Sequence, residues 1–420
     1  MQVSKIALAA VAALSLAGTA QAGTRYLTGA SATALNATKA LVGLCTDAAG
    51  TATIFKQDAT ATSLGNFFTV QCSKNFAGLA DNTVAFNVDG GSFTAVEAST
   101  GGVGVKFVPA AGGTATAGSG NLAGLALRTG VTATGTQLSE GGFMDVEPAA
   151  FGSLTDPFGG IDGLAGNVAP AAFSQVFGVA VSKALYTALQ SAQGITSACG
   201  SDDRAPACQP SISRAQYATI VSSNFNAPKT EGAAFLGGPV NTKLTLCRRV
   251  DTSGTQAASN QYFLNNLTGG TPGVLGGTAP ASASGFPLTG TEALATFGVS
   301  ESATTSQART CLASTSAYNI GVLSLENTPA TTDNYRFVKL SRVEAFDVTG
   351  TNRSKATAKT GEYDFVFNSF KYTAGGAGSS DVIEAIDGKL GDLTNNNGLF
   401  GNTESSYSRG GNNANVITKQ

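Results

Sequence analysis

Residues 248–255 read RRVDTSGT: two adjacent arginines, an aspartate, then Ser253-Gly254-Thr255. These types suit an oxyanion. A guanidinium offers a planar fork of charged donors. A Ser-Gly-Thr turn that opens a helix adds hydroxyls, unpaired backbone N–H groups and the positive end of the helix dipole. Three more turns carry the same chemistry: Ser31 and Thr33 in LTGASATAL, Ser92 and Thr94 after Asp89-Gly90-Gly91, and Asp145 in FMDVEPAAF. Ser, Thr and Asp are also the ordinary helix-capping residues, so each turn alone has a purely structural reading. Several such turns aimed at one place would cradle an anion with few formal charges, which matters in a chain with only 25 Lys+Arg among 420 residues.

The sequence contains no histidine, which excludes a Ser-His-Asp triad and imidazole metal sites. No carboxylate-rich metal cluster is visible either, so we expect neither a cofactor nor an enzyme. A net charge of −2 gives no footing for nucleic acid or an anionic membrane surface. There are six cysteines, an even number that reads as disulfides in an exported chain. Cys199 and Cys208 bracket a turn-rich loop and should pair; Cys45–Cys72 and Cys247–Cys311 follow by proximity. The absence of C-x2-C spacing speaks against zinc.

The elements that must position these turns come in alternation. Residues 1–22 have the short basic start, apolar stretch and Ala-Gln-Ala end of a cleaved signal peptide, so a periplasmic or extracellular location is expected. No later run is long and apolar enough to span a bilayer. Residues 25–28, 82–88, 175–182, 243–250, 318–325 and 362–372 read as strands. Residues 34–44, 210–225, 252–266, 302–313 and 381–390 read as helices, with a further one possible from 93. The Gly-containing stretch 141–148 reads as a turn, 109–137 as a surface insertion, 268–292 as a loop, and the tail from 395 as loose. Together they predict an α/β protein with long Gly-rich loop insertions.

The four turns also occur in a familiar order. RRVDTSGT resembles the Arg-Arg-x-Asp-x-Ser-Gly-Thr signature of the phosphate-binding proteins of ABC transporters. LTGASATAL at 27–35 is similar to their Thr-Gly-Ala-Gly-Ala-Thr turn, DGGS at 89–92 to their second turn, and FMDVEPAAF at 143–151 to their Ser-Asp-x-Pro segment. QVFGVAVS at 175–182, SISRAQYATIVSSNF at 211–225 and YNIGVLSLE at 318–326 fall where that family has a crossover strand, a helix and a Gly-Ile-Gly strand. The likeness is ordered over most of residues 25–390. Two positions depart from it: Ser31 replaces a glycine, and Met144 stands where a serine precedes the aspartate.

The resemblance implies a two-lobed type 2 periplasmic-binding fold with a ligand cleft between the lobes. Residues 23–174 and 318–394 would form one lobe and 175–317 the other. It also implies roles. Thr33 and the Ala34 amide would bind one oxygen, Ser92 would donate to another, and Asp145 would accept the proton of a protonated phosphate. Arg249 would supply the charge, held by Asp251, with Arg248 on the opposite face as a surface or interlobe partner. Ser253, Gly254 and Thr255 would close the cradle. The implied function is capture of phosphate or a similar oxyanion, with an ABC permease as the implied partner. The competing expectation is an extracellular structural or adhesive protein on the same fold with a weak or unused anion site.

Overall fold

Three strands bring half of the candidate residues together: Thr24–Gly29 (β1), Thr83–Asn87 (β4) and Gly141–Met144 (β7). β1 lies between the other two, parallel to both, so the turns that follow them leave from one end of the sheet. They belong to a computed structural model that describes residues 23–164, 167–195, 199–200, 202–222, 230–264, 296–345, 347–349, 352–374, 377–392, 398–408 and 418–419. The proposed signal peptide and the 268–292 loop lie outside the described residues.

The large sheet has 14 strands. The others are Ala52–Lys56 (β2), Phe67–Cys72 (β3), Thr114–Ala117 (β5), Ala126–Thr129 (β6), Val168–Ser182 (β8), Leu244–Arg249 (β9), Phe297–Ser302 (β10), Tyr318–Ser324 (β11), Tyr335–Phe337 (β12), Val366–Thr373 (β13) and Leu399–Gly401 (β14). Their order is β10-β9-β11-β8-β13-β7-β1-β4-β3-β2-β6-β5, with β12 and β14 also paired to β8. β9 runs parallel to both β10 and β11, while β8 is antiparallel to all its partners. The helices used below are Ser31–Asp47 (α1), Thr94–Thr100 (α2), Lys183–Ala192 (α3), Arg214–Val221 (α4), Gly254–Leu264 (α5), Thr305–Leu312 (α6) and Ala377–Asp392 (α7). This is the mixed α/β class that the alternating pattern predicts.

β8 shows why its sequence reads as a strand without alternation: its last ten residues are buried, as in a strand covered on both faces. One core cluster packs α1 and α7 on β3 and β4, through Leu41, Phe68, Val84, Ile383 and Ile386. Another packs α3, α4 and α5 on β8, β9 and β11, through Tyr186, Tyr217, Phe263, Leu246 and Ile320. All three expected disulfides are present: Cys45–Cys72, Cys199–Cys208 and Cys247–Cys311. Among the described residues no helix is long and apolar enough to cross a membrane.

The structure corrects several local expectations. Residues 141–144 are a strand, not a turn. Gly141 and Gly142 have φ of 129° and 155°, and a Cβ there would lie 2.0 Å from the Tyr372 oxygen and 1.8 Å from the Thr28 oxygen. These glycines allow close strand approach rather than reversal. The 109–137 insertion contributes β5 and β6, and β6 pairs parallel to β2, so part of it is sheet. The tail is not loose throughout: Leu399 and Phe400 are buried in β14 against β8. β10 and α3 were not anticipated. The helix expected over 302–313 begins at Thr305, where Thr304 and Gln307 form a capping box.

Candidate functional site

The second turn and the Ser-Gly-Thr turn are in direct contact. Phe93 N donates to Thr252 O at 2.9 Å, and Thr252 Oγ1 donates to Gly90 O. Gly91 has φ of 96°, and a Cβ there would lie 2.6 Å from Ser253 Cα, so glycine is needed for both conformation and space. Ser92 Oγ donates to Asp145 Oδ2 at 2.9 Å. Gly254, the first residue of α5, packs onto this pair. A Cβ on Gly254 would sit 2.4 Å from Ser92 Oγ and 2.8 Å from Asp145 Oδ2. Gly254→Ala is therefore expected to destabilise the protein by about 1–3 kcal/mol through overpacking, beyond any gain in helix propensity. A urea midpoint lowered at unchanged slope would register it; an unchanged midpoint would show that the contact relaxes freely.

Asp145 is buried, and its Oδ1 has no hydrogen-bond partner among the described residues. Burial pushes its pKa up to about 6, although the Ser92 hydroxyl and the Arg249 charge both pull it down. Arg249 is buried as well, and desolvation lowers its pKa to about 10, which leaves it charged at neutral pH.

Arg249 is not held by Asp251. Its Nε donates to Ser302 O at 3.2 Å, one terminal nitrogen to Thr305 Oγ1 at 2.6 Å and the other to Ala303 O at 2.9 Å. Asp251 instead pairs with Arg248, three residues before it, and Glu301 lies 3.6 Å from Arg248 Nε. Arg248 is buried, not a surface residue. Neighbouring residues on a strand face opposite ways, so only one of the two arginines can meet this acid. The grip on Arg249 comes from the β10–α6 junction, more than fifty residues further along the chain. Thr305 Oγ1 also lies 2.9 Å from Ser31 Oγ, which joins the starts of α1 and α6.

The remaining candidates lie around this cluster. Thr33 is buried in the first turn of α1, and its hydroxyl donates to Ala30 O at 3.0 Å. Ala34 is buried one residue on and borders a cavity of about 130 Å³. Ser253 and Thr255 are buried at the start of α5, where Gln256 Oε1 accepts from Arg249 N at 3.1 Å. The cavity is walled by Ser31, Ala34, Thr305, Arg309 and Glu326, among others. Ser92, Asp145 and Arg249 do not line it; Thr305, which does, accepts from Arg249.

Glu326 had no role in the sequence reading. Burial, with the Asp145 charge adding to it, pushes its carboxyl up to about 8 against hydrogen bonds from Ser324 and Asn327. It lies in the short 3-10 turn Leu325–Asn327 that follows β11, and nothing local marks it as facing a site. The described residues contain one group with metal-ligand spacing, Cys199, Asp203 and Cys208. Its two cysteines are joined in a disulfide and offer no thiolate.

No protein-family model and no curated protein matches the sequence. Solved structures give remote likenesses. A protein described as a phosphate ABC transporter substrate-binding protein with bound phosphate, from Clostridium perfringens, is 12% identical with a TM-score of 0.45, covering 87% of this chain and 93% of that one. PstS from Borrelia burgdorferi is 10% identical with a TM-score of 0.33, over 86% and 92%. An ABC-type phosphate transport receptor from Vibrio cholerae is 9% identical with a TM-score of 0.31, over 63% and 82%. Likeness at this level leaves the function to be argued from the chain's own geometry.

Proposed function

We propose that this chain is an exported solute-binding protein that holds a hydrogen-bearing oxyanion, phosphate foremost, between an α/β lobe of residues 23–174 and 318–394 and another of 175–317. Asp145 carries the proposal. A buried carboxylate oxygen without a partner, beside a buried arginine and against a helix start, calls for a donor. A protonated oxyanion brings that donor together with negative charge for Arg249 and the amides of α5. Ser92, Ser253, Gly254 and Thr255 would complete the shell, with Thr33 and Ala34 on the α1 side. Transfer to an ABC permease is the corresponding cellular role, and no step in it requires an enzyme.

The test is thermal unfolding of protein stripped of bound anion. Phosphate at about 100 times its Kd would add about 2.7 kcal/mol of stability. An unmoved melting curve at saturating phosphate would sink the proposal. One observation favours the second reading, a structural or adhesive protein with an unused site: the Arg249 fork is already engaged by Ser302, Ala303 and Thr305. Phosphate released on denaturing the purified protein separates the two, since an unused site releases none.

Asp145→Asn gives a sharper result. Ionised, Asp145 only accepts and so disfavours sulfate; protonated, it can also donate. Sulfate binding by the parent should therefore strengthen as pH falls through about 6, and in Asp145→Asn it should not depend on pH there. The stability effect has a definite sign. The folded-state pKa is raised from 3.8 to about 6, so the carboxyl's contribution is fully present below the unfolded value and is lost as pH rises through the folded one. Asp145→Asn should then be more stable than the parent at pH 7–8, by on the order of 3 kcal/mol. A phosphate/sulfate ratio unchanged by the substitution would remove Asp145 from the site.

A further inference from the structure

We propose that a second pocket, beside α2 and bordering the 89–94 turn on the side away from α1, binds an organic cation: an ammonium group at Glu97 with a short apolar body. The pocket has a volume of about 310 Å³, at the lower end of the range for small-molecule sites. Its apolar walls are Ala98 and the ends of Val103, Val105 and Phe158. Its ionisable lining residues are Asp89 and Glu97, both acidic, with no lysine or arginine among them.

The other polar lining groups are engaged. Asn87 Nδ2 donates to Lys106 O at 3.0 Å, and its Oδ1 accepts from Asp89 N at 3.0 Å. Thr94 Oγ1 donates to Gly91 O, and Thr28 Oγ1 to Thr94 O or Ser139 Oγ. Asp89 accepts from Asn66 at the exposed rim. Glu97 differs: it is half-buried, its carboxyl has no hydrogen bond or ion pair among the described residues, and burial alone raises its pKa.

A half-buried carboxylate with no partner attracts a cation. Here the surroundings choose which kind. Val103 is 62% exposed at the mouth, an apolar side chain left in solvent beside the cavity. Phe158 packs T-shaped against Phe93 at 5.8 Å and lines the cavity, an aromatic wall that suits ammonium as well as alkyl groups. Lys106 is exposed and alternates with Val105 along its strand, so it faces away and does not neutralise Glu97. A metal ion would find too few oxygens. An alkylammonium ion uses both the charge and the apolar walls.

The experiment titrates the full chain with n-hexylammonium chloride, n-hexanol and sodium hexanoate, by calorimetry and ligand-observed NMR. The ammonium ion should bind at least about tenfold more tightly than the alcohol, and hexanoate should not bind. Glu97→Gln should lose at least about tenfold of the ammonium affinity and keep its response to phosphate. Val103→Lys, at an exposed position that does not bear on folding, should also weaken the ammonium ion by charge at the mouth. Equal binding of alcohol and ammonium, or unchanged ammonium affinity in Val103→Lys and in folded Glu97→Gln, would overturn the proposal. Since phosphate is read separately, failure here leaves the oxyanion site untouched, and the reverse also holds.

Discussion

Arg249→Met should abolish the stabilising effect of phosphate and cost the folded protein about 3–5 kcal/mol even without it. Two losses add. The bonds from its guanidinium to Ser302 O, Ala303 O and Thr305 Oγ1 disappear, which leaves acceptors at the β10–α6 junction without their donor. Asp145, whose pKa the Arg249 charge already lowers, would rise further and stay protonated over more of the neutral range. Urea unfolding with and without phosphate reads both effects. Arg249→Lys should recover part of the stability but little of the binding, because an ammonium group cannot reproduce the fork. Arg248→Met is the useful contrast. It breaks the pairings of a buried guanidinium with the exposed acids Asp251 and Glu301 and should destabilise, yet phosphate should still raise its melting temperature. If Arg249→Met retained the full phosphate shift, the anion would have to be held elsewhere.

The second large effect is expected at Cys247–Cys311. Cys247 immediately precedes the two arginines in β9, and Cys311 lies in α6, whose first residue, Thr305, holds Arg249. The bridge spans 64 residues, against 27 for Cys45–Cys72 and 9 for Cys199–Cys208. Loop-closure entropy makes it worth about 4 kcal/mol, compared with between 2 and 3 kcal/mol for the shortest bridge. Cys247→Ala with Cys311→Ala should therefore cost more than Cys199→Ala with Cys208→Ala in equilibrium unfolding. It should also weaken phosphate binding, since α6 would be free to move its hydroxyl away from Arg249. Equal costs for the two pairs would show that chain entropy is not the main contribution here.

How far the sequence disclosed this arrangement depends on how local each cause is. Ser213 and Gln216 form a capping box at α4, and the helix expected there does begin beside them. The buried run 175–182 is strand, and all three cysteine pairs follow chain order. Gly141-Gly142 misled because the same two letters serve a reversal and a close approach, and only the partner strand decides between them. Of the candidate site, Ser92, Asp145, Ser253, Gly254 and Arg249 do lie together. Thr305 was invisible as a partner of Arg249, since 56 residues separate them and nothing in either segment names the other. Asp251 misled for a geometric reason: spacing along a strand does not say which of two adjacent arginines faces the acid. Glu326 and Glu97 have pKa shifts that arise from burial, a property of the finished fold.

The two bonds joining Thr252 to Gly90 and Phe93 carry a consequence for timing. They fasten the 90–93 turn to the 252–254 loop through protein groups alone. A ligand that passes between these segments must wait for them to part. At about 0.5–1.5 kcal/mol per bond, the parted form is about five- to 150-fold scarcer than it would be without them. The apparent affinity for any such ligand is reduced by the same factor, and its association rate saturates at the opening rate. If the proposed capture runs between these segments, Thr252→Val, which removes the bond to Gly90 and keeps the one from Phe93, would speed association and tighten apparent affinity.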